Sequence, residues 1–167
     1  METIVEYAVC SLLTGAGATA VMDLGSIART RLLGIPAPDY GLVGRWFAHL
    51  ARGRFRHDPI AASPPVQGER LIGWTAHYLI GVAFAAVLLA VWGLDWVRHP
   101  TIAPALIVGI GSVLAPFLLM QPGMGAGVAA RRTRRPAAAR LQSLATHAVF
   151  GVGLYASGWV TSFLYLR

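Results

Sequence analysis

Apolar residues gather into four long stretches, at about 7–27, 71–94, 101–120 and 141–166, separated by polar segments rich in arginine. An α-helix needs roughly 20 apolar residues to cross about 30 Å of hydrocarbon. The pattern therefore predicts an all-α fold, a four-transmembrane-helix bundle. Asp23 alone interrupts the first stretch. Glu2 and Glu6 precede it with no basic residue, so cleavage as a secretory signal is not expected. The second and third stretches are divided only by a short link holding Asp95, Arg98, His99 and Pro100, so a tight hairpin is expected there. The fourth ends at Arg167. Two longer polar loops remain, at about 28–70 and 121–140. Within the first, Leu42, Val43, Trp46, Phe47 and Leu50 recur at helical spacing, with Arg45 and His49 on the other side. That predicts a short amphipathic helix over 39–50 lying in the membrane interface. The stretch Ala61 to Pro65 should be irregular.

Composition supports a membrane solvent. Of the 167 residues 56% are hydrophobic and 13% charged, with a mean hydropathy of +0.59, so residues 1–167 are expected to form a single integral membrane domain. The formal charge of +7 comes from 14 arginines and no lysine. Seven of these arginines lie between Asp23 and Leu71, and five between Gln121 and Leu141. By the positive-inside rule both polar loops are cytoplasmic, and both termini lie on the non-cytoplasmic side. The basic balance is thus an orientation signal, and no nucleic-acid partner is expected. The run Arg131-Arg132-Thr133-Arg134-Arg135 should in addition attract membrane lipids with anionic headgroups. Tyr7, Trp92, Trp96, Tyr155, Trp159 and Tyr165 collect toward the outer boundary, and Trp46, Trp74 and Tyr78 toward the inner one, as in an aromatic belt. Cys10 reads as a small buried apolar residue.

Polar residues inside the spans carry the functional expectation. Asp23 precedes Arg29 by six residues, while His77 and His147 follow Arg70 and Arg140 by seven. At about 1.5 Å per residue, all three sit roughly 9–10 Å beneath one arginine level, and Gln121 closes the third span near it. Gly15, Thr19 and Asp23 form one stripe, Glu69, Gly73, His77 and Gly81 a second, and His147, Gly151 and Tyr155 a third. Small residues at this spacing let helices approach closely, so the polar groups should meet inside the bundle. Asp23, Glu69, His77, Gln121 and His147 are the candidate ligand-binding set, with Arg45, Trp46 and His57 as interfacial or lid residues. A buried carboxylate needs a partner or a wet pocket, and a histidine is the natural candidate. Three readings stay open: binding or transport of a small amphipathic ligand; a haem or metal ion held by His77 and His147; or a structural or assembly subunit whose polar groups lock the bundle. No nucleophile elbow or zinc-protease motif is present, and His57-Asp58-Pro59 reads as a solvated turn. The small residues leave a homo-oligomer open.

A short internal repeat accompanies these residues. His77-Tyr78-Leu79-Ile80-Gly81-Val82 and His147-Ala148-Val149-Phe150-Gly151-Val152 share the pattern His-x-x-x-Gly-Val, and Gly15-Ala16-Gly17 echoes Gly109-Ile110-Gly111. Duplication of a two-helix hairpin, as a parallel repeat, would produce this.

Several blocks resemble a bacterial membrane family known as domain of unknown function 2938. They are Gly17 to Asp23, Val43-Gly44-Arg45-Trp46 with Gly53 to His57, Gly68-Glu69 with Gly73 to Tyr78, Pro116-Phe117 with Met120 to Gly125, and His147 with Phe150-Gly151. The resemblance implies a small multi-pass protein of the bacterial inner (plasma) membrane. It implies no activity, substrate or cofactor.

Overall fold

The computed structural model describes residues 2–165, and all of their regular structure is helical. The expected end of the fourth stretch at Leu166, and Arg167, lie outside the described residues, as do the side chains of Glu2 and Tyr165. Six helices follow in order: α1 Glu2–Leu33, α2 Tyr40–Leu50, α3 Glu69–Trp92, α4 Asp95–Arg98, α5 Ile102–Gly123 and α6 Pro136–Tyr165.

Their limits have local causes. Helix α1 runs through Arg29 and Arg31 and stops at Gly34, whose φ of +64° suits glycine and whose N–H still reaches the Thr30 carbonyl at 3.1 Å. Asp39 caps α2 by accepting the Gly41 N–H at 2.8 Å. Gly68 and Gly93, both with φ of +75°, flank α3. The link after α3 holds one helical turn, α4, with Trp96 and Val97 buried. Within α5 the segment Pro116–Met120 widens to a π-helix, as expected where a proline removes one N–H from the ladder. Pro136 opens α6, where its missing N–H costs nothing.

Helices α1, α3 and α5 are each long and apolar enough to cross a membrane. Their apolar residues are not all buried: Leu79 is 62% exposed and Ile107 61%, an outward face that suits lipid rather than water. Helix α6 has 30 residues, but Ser143, Thr146, Ser157, Thr161 and Ser162 lower its hydropathy.

The chain builds two compact units. The first comprises the chain as far as Pro36, Tyr78–Ser112 and the chain from Ala145; the second comprises Ala37–His77 and Val113–Leu144. The first unit is packed through missing side chains. A Cβ on Gly15 would collide with the Val82 backbone, and one on Gly109 with the Gly151 backbone. Helices α1 and α3 therefore cross in near backbone contact, and α5 and α6 do the same. Thr19 Oγ1 donates to the Gly15 carbonyl at 2.8 Å, and Ser112 Oγ to the Gly109 carbonyl at 2.6 Å. Between α1 and α6, Ser157 lies against Gly17, and the Thr14 and Thr161 hydroxyls meet at 3.2 Å. Leu88, Leu89, Leu154, Phe150 and the fully buried Cys10 complete this core. In the second unit α2 lies against the start of α3, because Gly44 admits the Glu69 carbonyl and Gly73 admits the Tyr40 carbonyl.

Candidate functional site

In the first unit Asp23 is joined to α3: the Tyr78 hydroxyl donates to Asp23 Oδ2 at 3.1 Å. Six residues on, Arg29 Nη1 donates to Thr146 Oγ1 at 2.7 Å and Nη2 to Ser26 Oγ at 3.3 Å, while its Nε is buried without a hydrogen-bond partner among the described residues. His147 stands one turn before Gly151 on α6, its carbonyl facing Gly109.

In the second unit His77 Nε2 and the Tyr40 hydroxyl share a hydrogen bond of 2.9 Å. The two rings lie 4.3 Å apart between centroids, and Trp74 packs on Tyr40 at 4.4 Å. That nitrogen would be the usual haem ligand, and here it is engaged by a phenol. Among the described residues no three of His, Cys, Asp and Glu come together as a metal-binding group.

Arg45 and Glu69 form a two-pronged ion pair, with Nε to Oε2 and Nη2 to Oε1 both at 2.8 Å. Glu69 Oε2 also accepts the Val66 N–H at 2.9 Å, and Arg45 Nη1 reaches the Ser63 carbonyl at 3.0 Å. The pairing raises the Arg45 pKa above its ordinary value, chiefly through the hydrogen bond to Glu69. Trp46 Nε1 donates to the Phe55 carbonyl at 2.8 Å, and its ring fills the space that Gly123 leaves open. Gln121 Oε1 is buried with no hydrogen-bond partner among the described residues.

Two positions differ from expectation. His49, assigned to a polar helix face, is buried, and so is His57, assigned to a solvated turn. His49 Nδ1 and His57 Nε2 share a hydrogen bond of 2.9 Å, and His57 Nδ1 lies 3.2 Å from the Gly123 carbonyl. A carbonyl can only accept, so His57 Nδ1 carries the proton, and Nε2 accepts from His49 Nδ1–H. The cause of the burial is nonlocal: the His57 N–H bonds to the Gly123 carbonyl at 2.9 Å and the Ile60 N–H to the Met124 carbonyl at 3.0 Å, which folds the turn against the end of α5. Burial, reinforced by His57 and the nearby Arg54, Arg52 and Arg45, pushes the His49 pKa below 6.5.

The structure therefore joins Asp23 with Tyr78, His77 with Tyr40, Arg45 with Glu69 and His57 with His49. Tyr40, Tyr78 and His49 are the partners that the sequence reading did not select. Tyr78 follows His77 directly, yet on a helix it points about 100° away, so no single stripe contains both.

A family model described as "Protein of unknown function (DUF2938)" matches residues 12–161. No curated protein and no solved structure matches the chain.

Proposed function

Since the chain belongs to the DUF2938 family, a family of unknown function, we propose from its geometry that it is a four-span membrane protein binding or transporting a small amphipathic ligand at a polar site centred on Asp23 and Tyr78. The observation that carries this reading is their hydrogen bond within two helices apolar enough to cross a membrane. A carboxylate in such a helix costs up to about 2.5–3.5 kcal/mol on insertion scales, and groups kept at that cost usually serve a ligand or proton pathway.

The internal repeat strengthens the argument. Asp23 follows Gly15 by eight residues and Tyr78 precedes Gly81 by three; at the same distances from Gly109 and Gly151 stand Phe117 and Ala148. A glycine crossing of this kind is thus built without a carboxylate or a phenol, which leaves the Asp23 pair to a purpose other than packing. His147, which matches His77 in the repeat, is assigned to the same ligand site as Asp23 and Tyr78.

The fourth span is α6, which exposes Val160 at 56% and Leu164 at 74%, as lipid contact would require. With α6 counted, both arginine-rich segments fall on one side, which the positive-inside rule makes cytoplasmic in a bacterial inner membrane.

The test is native mass spectrometry of the protein purified in mild detergent, with extraction of whatever small molecule it carries. An amphipathic species retained by the wild type and lost from Asp23→Asn and Tyr78→Phe, with melting temperatures within a few degrees of wild type, supports the proposal. A wild type without such a species, or variants that keep it, would count against it.

A further inference from the structure

We propose that a cleft in the second unit, lined by Arg54, Arg56, His57, Asp58, Arg131 and Arg132, is a binding site for a phosphate-bearing anion, either a lipid headgroup or free phosphate. The cleft measures about 580 Å³ and sets four guanidinium groups against one carboxylate. Its two walls are far apart in sequence. They are stitched by the His57 N–H on the Gly123 carbonyl at 2.9 Å, and the second wall is tightened by the Arg132 N–H on the Ala126 carbonyl at 2.9 Å.

Gly127 aims the arginines. Its φ is +73°, and a Cβ there would lie 2.8 Å from the Arg131 Cγ and 3.0 Å from the Arg132 Cγ, so only glycine lets both stems fold back over the turn. Asp58 neutralises little, since it stands 3.8 Å from Arg132 with both side chains well exposed. Like charges drawn together by a folded turn repel one another, and an anion relieves that repulsion. Guanidinium groups suit phosphate in particular, because they offer paired N–H donors to two of its oxygens. Arg134 and Arg135 belong to the same run but do not line the cleft, which separates a built site from general attraction to a charged membrane. None of the cleft residues belongs to the Asp23 and Tyr78 pair, so each proposal can fail without the other.

The test uses the full chain and limited phenylglyoxal labelling of arginine, read by peptide mapping. One arm adds inorganic phosphate to protein in neutral detergent. The other compares nanodiscs of phosphatidylcholine alone with nanodiscs that also contain phosphatidic acid. Selective protection of Arg54, Arg56, Arg131 and Arg132 over Arg134 and Arg135 is expected. Protection by phosphate in detergent identifies free phosphate as the source; protection only with phosphatidic acid identifies the headgroup. Equal protection of all six arginines, or of none in either arm, overturns the proposal. As a second measurement, Arg54→Gln with Arg131→Gln should weaken binding of the effective probe about tenfold or more, while Arg134→Gln with Arg135→Gln leaves it unchanged. Equal losses from the two pairs also overturn it.

Discussion

The two glycine crossings of the first unit are built alike and equipped differently. In each, a glycine early in the pair meets the backbone of the helix that follows, with a hydroxyl bonded back to that glycine's carbonyl: Gly15 with Thr19 in one, Gly109 with Ser112 in the other. In each, a histidine precedes the second glycine by four residues. Only the first carries Asp23 and Tyr78, and only the first opens with an acid: Glu69 stands twelve residues before Gly81, where Ala139 stands twelve before Gly151. The shared glycines and hydroxyls are what a lipid-soluble crossing requires. The unshared acids and phenol are ionisable, which is where function should be sought.

Substitutions at the crossings should have the largest effect. Gly15→Val and Gly109→Val each place atoms inside a facing backbone, so each should cost at least about 1–3 kcal/mol, read as a lower melting temperature in detergent. Gly111→Ala is the control, because nothing lies within 4 Å of a Cβ there; it should be neutral or stabilise by up to about 1 kcal/mol. If only one valine variant is destabilised, the two crossings are not equivalent. Next comes Glu69→Gln, which removes one member of a partly buried charged pair and should cost about 1.5–3 kcal/mol. Ala139→Gln at the matching position should cost less than about 0.5 kcal/mol. Smaller still, Thr19→Val and Ser112→Ala each remove one hydroxyl donor and should cost about 0.5–1.5 kcal/mol, similar in the two places.

The smallest effect is a pH dependence in the second unit. Burial keeps His49 neutral below its ordinary 6.5, so as pH falls the unfolded chain takes up that proton first. Stability is then full above about pH 6.5 and declines on acidification toward the lowered folded value. Thermal melts between pH 7.5 and 5 should show the decline, and His49→Gln should flatten it.

Much of this was legible before the structure. Three long helices fall within a few residues of the apolar stretches, and Asp39 announces the start of α2. The extension of α1 to Leu33 was missed, because hydropathy ends at Ile27 while helical hydrogen bonding continues to the Gly34 stop. The amphipathic reading of α2 placed Arg45 and His49 correctly around the helix but not in their surroundings. Arg45 is enclosed by Glu69 and by carbonyls of the loop before α3, and His49 by His57. Those contacts depend on chain segments that meet through tertiary folding, and no local period encodes them. His57 shows the same limit, since its burial rests on Gly123, 66 residues away. The repeat was visible as short motifs that already matched Gly15 with Gly109; that each of these glycines meets a facing backbone needed coordinates.

The most direct measurement transplants the residues of one crossing into the other. A chain carrying Asp23→Phe and Tyr78→Ala holds, at those two positions, what the second crossing holds at its own. If the carboxylate and phenol serve a ligand, this chain folds and melts within a few degrees of wild type but carries no amphipathic molecule through purification. A chain that fails to fold, or that folds and still retains the molecule, contradicts that assignment.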